Sequence, residues 1–176
     1  MQNDDLDRLR AAIRDVPDFP KPGILFKDIT PVLSDPALFR IAIAHFVAAC
    51  RDRAVGKIVA IDARGFIFGA AVAHELGVGF IPVRKKGKLP YRCESAAYRL
   101  EYGEATVEMH HDAIAPGERV VLIDDLLATG GTAAAAMELI QRAGGNLVEV
   151  MFLIELAFLG GRKALGKASV LALLTY

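Results

Sequence analysis

The chain is short of three things. Its 176 residues include two cysteines, carry no net formal charge, and contain no unbroken apolar run of membrane-spanning length. Two cysteines, Cys50 and Cys93, do not make a disulfide framework, so a reducing, cytoplasmic setting is expected. Cys50 lies in an apolar, helical-looking run and reads as a small buried hydrophobe. Zero net charge argues against nucleic acid as the main partner, while leaving room for a local basic site. The longest apolar run, Leu147 to Leu159, is interrupted by Glu149 and Glu155 and is too short to span a bilayer. The opening MQNDDLDRLR is acidic and polar and does not read as a signal peptide. A histidine metal centre is not expected either. His45 and His74 fall on separate helices, and the adjacent His110 and His111 point to opposite faces of a strand.

What is present is enough for one folded domain, expected over 1–176. The apolar fraction of 53% can fill a core, and a chain of this length can bury about 70% of its unfolded surface. Leu6, Leu9 and Ile13 recur at helical spacing, which predicts a helix over Asp4–Arg14. Three prolines and a glycine in VPDFPKPG (16–23) then forbid a helix and predict turns or ordered coil. Ser34-Asp35-Pro36 is a helix start, with the helix reaching about Arg51.

From there strands and helices alternate. Lys57–Ile61, Gly79–Val83, Arg119–Ile123 and Leu147–Ile154 read as strands, and Ser169–Leu174 as a last short one. Gly65–Leu76 and Thr132–Arg142 read as helices, stopped at Gly77 and at Gly144-Gly145. Nearly continuous apolar strands alternating with helices predict an α/β fold, with a central, mostly parallel twisted sheet flanked by helices. Ala97–Tyr102 and Ala105–His110 alternate around Gly103 and suggest an antiparallel pair at the sheet edge.

Ligands of such sheets bind beyond the carboxyl ends of the strands. Three ends stand out: Asp62-Ala63-Arg64-Gly65, Arg84-Lys85-Lys86-Gly87-Lys88, and VVLIDDLLATGGT (120–132). In the last, Ala128-Thr129-Gly130-Gly131-Thr132 enters a helix, whose first N–H groups suit a phosphate monoester. No Lys-Ser/Thr pair follows the glycines, so this is not the nucleotide-hydrolase P-loop. A reading of VVLIDD as the metal strand of such a hydrolase would need that loop elsewhere, and the chain lacks it. Capping residues at a strand–turn–helix corner account for the threonines and glycines, but not for two successive carboxylates, Asp124 and Asp125.

An apolar strand, an acidic pair and a T-G-G-T loop resemble the phosphoribosyl-diphosphate motif of the phosphoribosyltransferases. PDFPKPGILFKDITPVL (17–33), ARGFIFG (63–69), RKKGKLP (84–90) and LEYG (100–103), in this order, are similar to the adenine-specific branch of that family. The position of Ala128 carries Asp in the 6-oxopurine branch, which points away from hypoxanthine and guanine. Xanthine-type relatives and non-catalytic purine-sensing regulators share the acidic pair, but normally lack the Phe19–Asp28 segment in this form.

The resemblance implies a type I phosphoribosyltransferase fold, with a small N-terminal base-binding hood (1–35) and a flexible lid (84–100, with Leu89–Ala96 its polar, aperiodic part). It implies adenine and 5-phosphoribosyl-1-diphosphate as substrates, AMP and diphosphate as products, and a homodimer. Ala128, Thr129, Gly130, Gly131 and Thr132 would take the 5′-phosphate. Asp124 and Asp125 would take the ribose hydroxyls. Asp62, Ala63, Arg64, Arg84, Lys85 and Lys88 would hold the diphosphate, with a non-proline cis peptide at Asp62-Ala63. Leu25, Phe26 and Lys27 would read the base, with Phe26 and Leu126 against its faces and Tyr102 at its edge. Glu101 would carry the proton at adenine N7. Mg²⁺ would arrive on the diphosphate, near Asp124 and Asp125 but with no direct protein ligand.

Overall fold

Residues 2–99 and 104–176 are described by the structure, a computed structural model. The chain divides into two compact units, 1–46 and 47–176.

In the first unit, α1 (Gln2–Ala12) buries Leu9 and half-buries Leu6, and Ile13, just past its end, completes the buried stripe that the spacing predicts. It ends two residues short of Arg14, because Arg14 opens a strand. β1 (Arg14–Pro17) pairs antiparallel with β2 (Leu25–Asp28), from Arg14 opposite Asp28 to Pro17 opposite Leu25. The proline-rich stretch therefore forms the turn of a hairpin, with Val16 and Pro17 in β1. Asp18 closes it by accepting the Gly23 N–H at 2.7 Å, and Phe19 meets Phe26 edge-on with ring centroids 5.1 Å apart. The short α2 (Thr30–Ser34) has no sequence periodicity to announce it. Asp35 then caps α3 (Pro36–Cys50) by accepting the N–H groups of Ala37 and Leu38.

The second unit is built on a seven-stranded sheet in the order β5-β6-β4-β3-β7-β8-β9. β3 (Lys57–Ile61), β4 (Gly79–Lys85), β7 (Arg119–Leu127), β8 (Asn146–Glu155) and β9 (Val170–Thr175) run parallel. β6 (Glu104–His110) joins β4 antiparallel, and β5 (Cys93–Arg99) joins β6 the same way. The mostly parallel sheet is thus as expected.

Strand alternation sends side chains to two covered faces. Ile58 and Ala60 lie under α4 (Arg64–Leu76), against Gly69. Val59, Ile61, Val120 and Leu122 join Ala136, Leu139 and Ile140 of α5 (Gly131–Arg142) in one core. Gly77 ends α4 in the left-handed region at φ 67°, as a stop glycine should.

Two boundaries differ most from the sequence reading. β5 begins at Cys93, so the second half of the aperiodic Leu89–Ala96 stretch is strand. CESAAYR has no clean alternation, and its pairing with β6 supplies the order. β7 does not stop at Ile123 but runs on to Leu127, since β8 pairs with it as far as Glu155. Among the described residues, no helix is long and apolar enough to cross a membrane.

Candidate active site

The three strand ends singled out in the sequence are tied together by two ion pairs. Arg84, near the end of β4, donates from Nε to Asp62 Oδ2 at 2.8 Å and from Nη1 to the Lys88 carbonyl at 3.0 Å. Arg64, the first residue of α4, places Nε 2.7 Å from Asp125 Oδ2 on β7. Sequence reading assigned each of these groups to a ligand but missed that they hold one another. The signal was there in principle: opposite charges at the ends of strands that a parallel sheet sets side by side.

Asp62-Ala63 is a non-proline cis peptide, as the resemblance implied. It leads into Gly65, which has no room for a side chain. A Cβ there would lie 2.8 Å from Asp124 Oδ1 and 2.9 Å from the Ile123 carbonyl oxygen. The acidic pair is therefore packed into the strand framework, not hung on a loop. Asp125 is buried and Asp124 half-buried, and Asp124 Oδ1 accepts the Asp125 N–H at 2.9 Å.

Burial pushes both carboxyl groups above their usual range. Asp124 moves further, because the charge of Asp125 adds to its burial, whereas Arg64 draws Asp125 back down. The pair thus binds protons more tightly in the folded chain than in the unfolded one. Stability then falls as pH rises from the usual carboxyl value through the raised one, so the pair burdens the fold above that range. Asp124→Asn keeps the acceptor for the Asp125 N–H and removes that burden. It is expected to raise the melting temperature at about pH 7 by roughly 2–4 °C, the effect of about 1 kcal/mol in a domain of this size. The gain should shrink as pH falls toward about 4. Melting curves at both pH values check it, and an equal gain at both would reject the assignment.

The loop after β7 makes a small cavity of about 80 Å³, lined by Asp124, Leu126 and residues 127–133. Gly130 sits at the N-cap of α5 with φ 82°, and no side chain caps that helix. The helix therefore presents its first N–H groups and its positive end to the cavity. Thr129 is exposed, and Ala128 and Thr132 are half-buried around it. An anion with several oxygens fits such a place.

Lys85, the last residue of β4, and Lys88 beyond it are exposed. Between them the turn is fixed from behind: Lys86 N–H donates to the Thr106 carbonyl, and Gly87 N–H to Glu108 Oε2 at 2.8 Å. Glu108, a buried carboxylate on β6, was not singled out from sequence. Leu25, Phe26 and Lys27 lie on β2 in the first unit, where Lys27 Nζ meets Asp15 at 2.6 Å. Glu101 and Tyr102 lie outside the described residues. Among the described residues, no three His, Cys, Asp or Glu side chains gather as a metal cage.

Comparison with known proteins turns this geometry into kinship. Residues 33–165 match the phosphoribosyl transferase domain model. The adenine phosphoribosyltransferase of Nitrosococcus oceani is 53% identical over 97% of this chain and 100% of its own. The crystal structure of the Rhodothermus marinus adenine phosphoribosyltransferase is 52% identical, covers 99% of both chains and superposes with a TM-score of 0.94. That of the Saccharomyces cerevisiae enzyme, complexed with an imino-altritol bisphosphate and adenine, is 42% identical over 97% of this chain and 99% of its own, with a TM-score of 0.93. The chain belongs to the phosphoribosyltransferase family, and within it to the adenine phosphoribosyltransferases.

Proposed function

We propose that the chain transfers the 5-phosphoribosyl group from 5-phosphoribosyl-1-diphosphate to adenine, giving AMP and diphosphate. The observation that carries this reading is the meeting of three strand ends. An uncapped helix N-terminus, an acidic pair with Asp125 buried, and a cluster of cations converge there. Residues 128–132 take the 5′-phosphate on backbone N–H groups and threonine hydroxyls. Asp124 and Asp125 accept from the ribose hydroxyls, which donate to a carboxylate as an ionised phosphate does not. Arg64, Arg84, Lys85 and Lys88 face the diphosphate, with the Asp62-Ala63 peptide beside it. On binding, the diphosphate competes with Asp125 and Asp62 for the two guanidinium groups. Planar guanidinium suits either partner.

The base is read by Leu25, Phe26 and Lys27, with Leu126 against a ring face and Tyr102 at the edge. Glu101 holds the N7 proton that adenine must exchange as N9 bonds to the ribose carbon. No covalent nucleophile is needed. Positioning and charge stabilisation of an oxocarbenium-like state provide the catalysis.

Mg²⁺ belongs to the substrate in this reading. Mg²⁺ takes about six oxygen ligands, and two carboxylates, one already bound to Arg64, fit a cation that arrives chelated by diphosphate. When bound, it neutralises the leaving diphosphate. We further propose that 1–176 acts as one domain, with 1–35 the base-binding hood and 84–100 the lid that excludes water. It would work as a cytoplasmic homodimer.

Incubation of the protein with adenine, phosphoribosyl diphosphate and Mg²⁺ should yield AMP and diphosphate. Hypoxanthine, guanine and xanthine should compete poorly. Tight binding of the sugar diphosphate without any AMP would replace the enzyme by a purine-sensing regulator.

A further inference from the structure

The wall behind the phosphate loop is another piece of chain. After β8 the backbone turns through Gly160, at φ 66°, and brings Gly161 against residues 128–130. A Cβ on Gly161 would lie 2.9 Å from Leu127 Cδ1 and would overlap the Ala128 carbonyl oxygen. A Cβ on Gly130 would overlap the Gly161 carbonyl oxygen in return. Two backbones thus touch where no side chain fits between them. Glycines cannot anchor themselves, and the anchor is the next residue.

Arg162 donates from Nε to Glu155 Oε1 at 2.8 Å and Oε2 at 3.0 Å, and from Nη2 to Oε2 at 2.7 Å. Its Nη1 donates to the Val170 carbonyl at 3.1 Å. Glu155 is buried at the last position of β8, opposite Leu127 at the last position of β7. The Leu156 N–H donates to the Leu127 carbonyl at 2.9 Å and closes the register. A planar guanidinium on a buried carboxylate has one geometry open to it. The segment carrying Gly161 is therefore fixed relative to the strand from which the phosphate loop emerges.

We propose that Glu155 and Arg162 are positioning residues for phosphoribosyl transfer. They press Gly161 against Ala128–Gly130 and so set where the 5′-phosphate sits, without touching substrate. The inference rests on the reading of residues 128–132 as the 5′-phosphate loop.

The test compares ligands that use the loop with one that does not. Binding of ribose 5-phosphate and of inorganic diphosphate with Mg²⁺ is measured by calorimetry on the full chain and on Arg162→Met, Arg162→Lys and Glu155→Gln. Arg162→Met should weaken ribose 5-phosphate about tenfold, the scale of a modest misplacement of a binding group, and leave diphosphate unchanged. The KM for phosphoribosyl diphosphate should rise by a like factor, with the KM for adenine unmoved. Arg162→Lys, which keeps the charge but not the fork, should fall between. If Arg162→Met does not fold, Arg162→Lys and Glu155→Gln carry the same comparison. Unchanged ribose 5-phosphate affinity in folded variants, or an equal loss for both ligands, overturns the proposal. A parent chain that binds neither ligand and forms no AMP removes the functional reading, and the inference with it.

Discussion

A Gly130→Val chain is expected to form AMP at least about a hundredfold more slowly than the parent and to melt well below it. Two costs add at this position. The backbone sits at φ 82°, where a β-branched residue is strained by about 1–3 kcal/mol. The new side chain would also strike the Gly161 carbonyl, so either the loop or the segment behind it must move. Displacement of the loop carries the N–H groups of α5 away from the 5′-phosphate proposed for them. A shift of about 1 Å at such a site can cost a factor of 10².

Gly117→Val is the control. That glycine also has positive φ, at 78°, but a Cβ there meets nothing within 4 Å, and the position is remote from the loop. It should lose stability and keep its turnover per folded molecule. Melting curves and AMP formation, measured on both variants, separate strain from crowding. Parent-like turnover in Gly130→Val would show that the loop does not hold the reacting sugar.

Glu101→Gln is expected to lower kcat by about 10²–10⁴-fold, the usual contribution of general acid–base catalysis, while the affinity for phosphoribosyl diphosphate stays where it was. The argument is chemical. Adenine becomes a competent nucleophile at N9 only as it sheds a proton, and the reverse reaction must return one. A carboxylate at N7 does both, and the amide of glutamine does neither. In the chain Glu101 falls between Arg99 and Glu104, the last pair of the β5–β6 ladder. Phosphate and diphosphate are assigned to other loops, so the variant has no reason to release the sugar. Rapid-quench turnover and equilibrium binding decide the point. A parallel fall in both would reassign Glu101 to substrate binding.

The parallel sheet was legible in the sequence because its signals are local. KIVAI is a strand by composition, Gly77 and Gly144-Gly145 stop helices by backbone freedom, and Asp35 caps by its side chain. What escaped depended on partners distant in the chain. β1 exists because Arg14–Pro17 finds Leu25–Asp28, and β5 starts at Cys93 because β6 lies beside it. The same holds in the site. The anion loop and the acidic pair could be read from adjacent residues, whereas the Arg64–Asp125 and Arg84–Asp62 pairs span separate strand ends. Glu155 and Arg162 are near in sequence, but their bearing on the phosphate loop depends on how Gly161 meets Ala128.

The register that sets Lys57 opposite Val120 also has a thermodynamic consequence. No fragment holding one strand end can offer the whole site, since its loops become neighbours only when distant strands have zipped together. Ligand occupancy is then coupled to global folding rather than to any local ordering. A bound sugar phosphate at a hundred times its dissociation constant adds about 2.7 kcal/mol to the unfolding free energy. Amide protons of the central strands β3 and β7 should slow by the matching factor, so the depth of the sheet becomes a gauge of what occupies its rim.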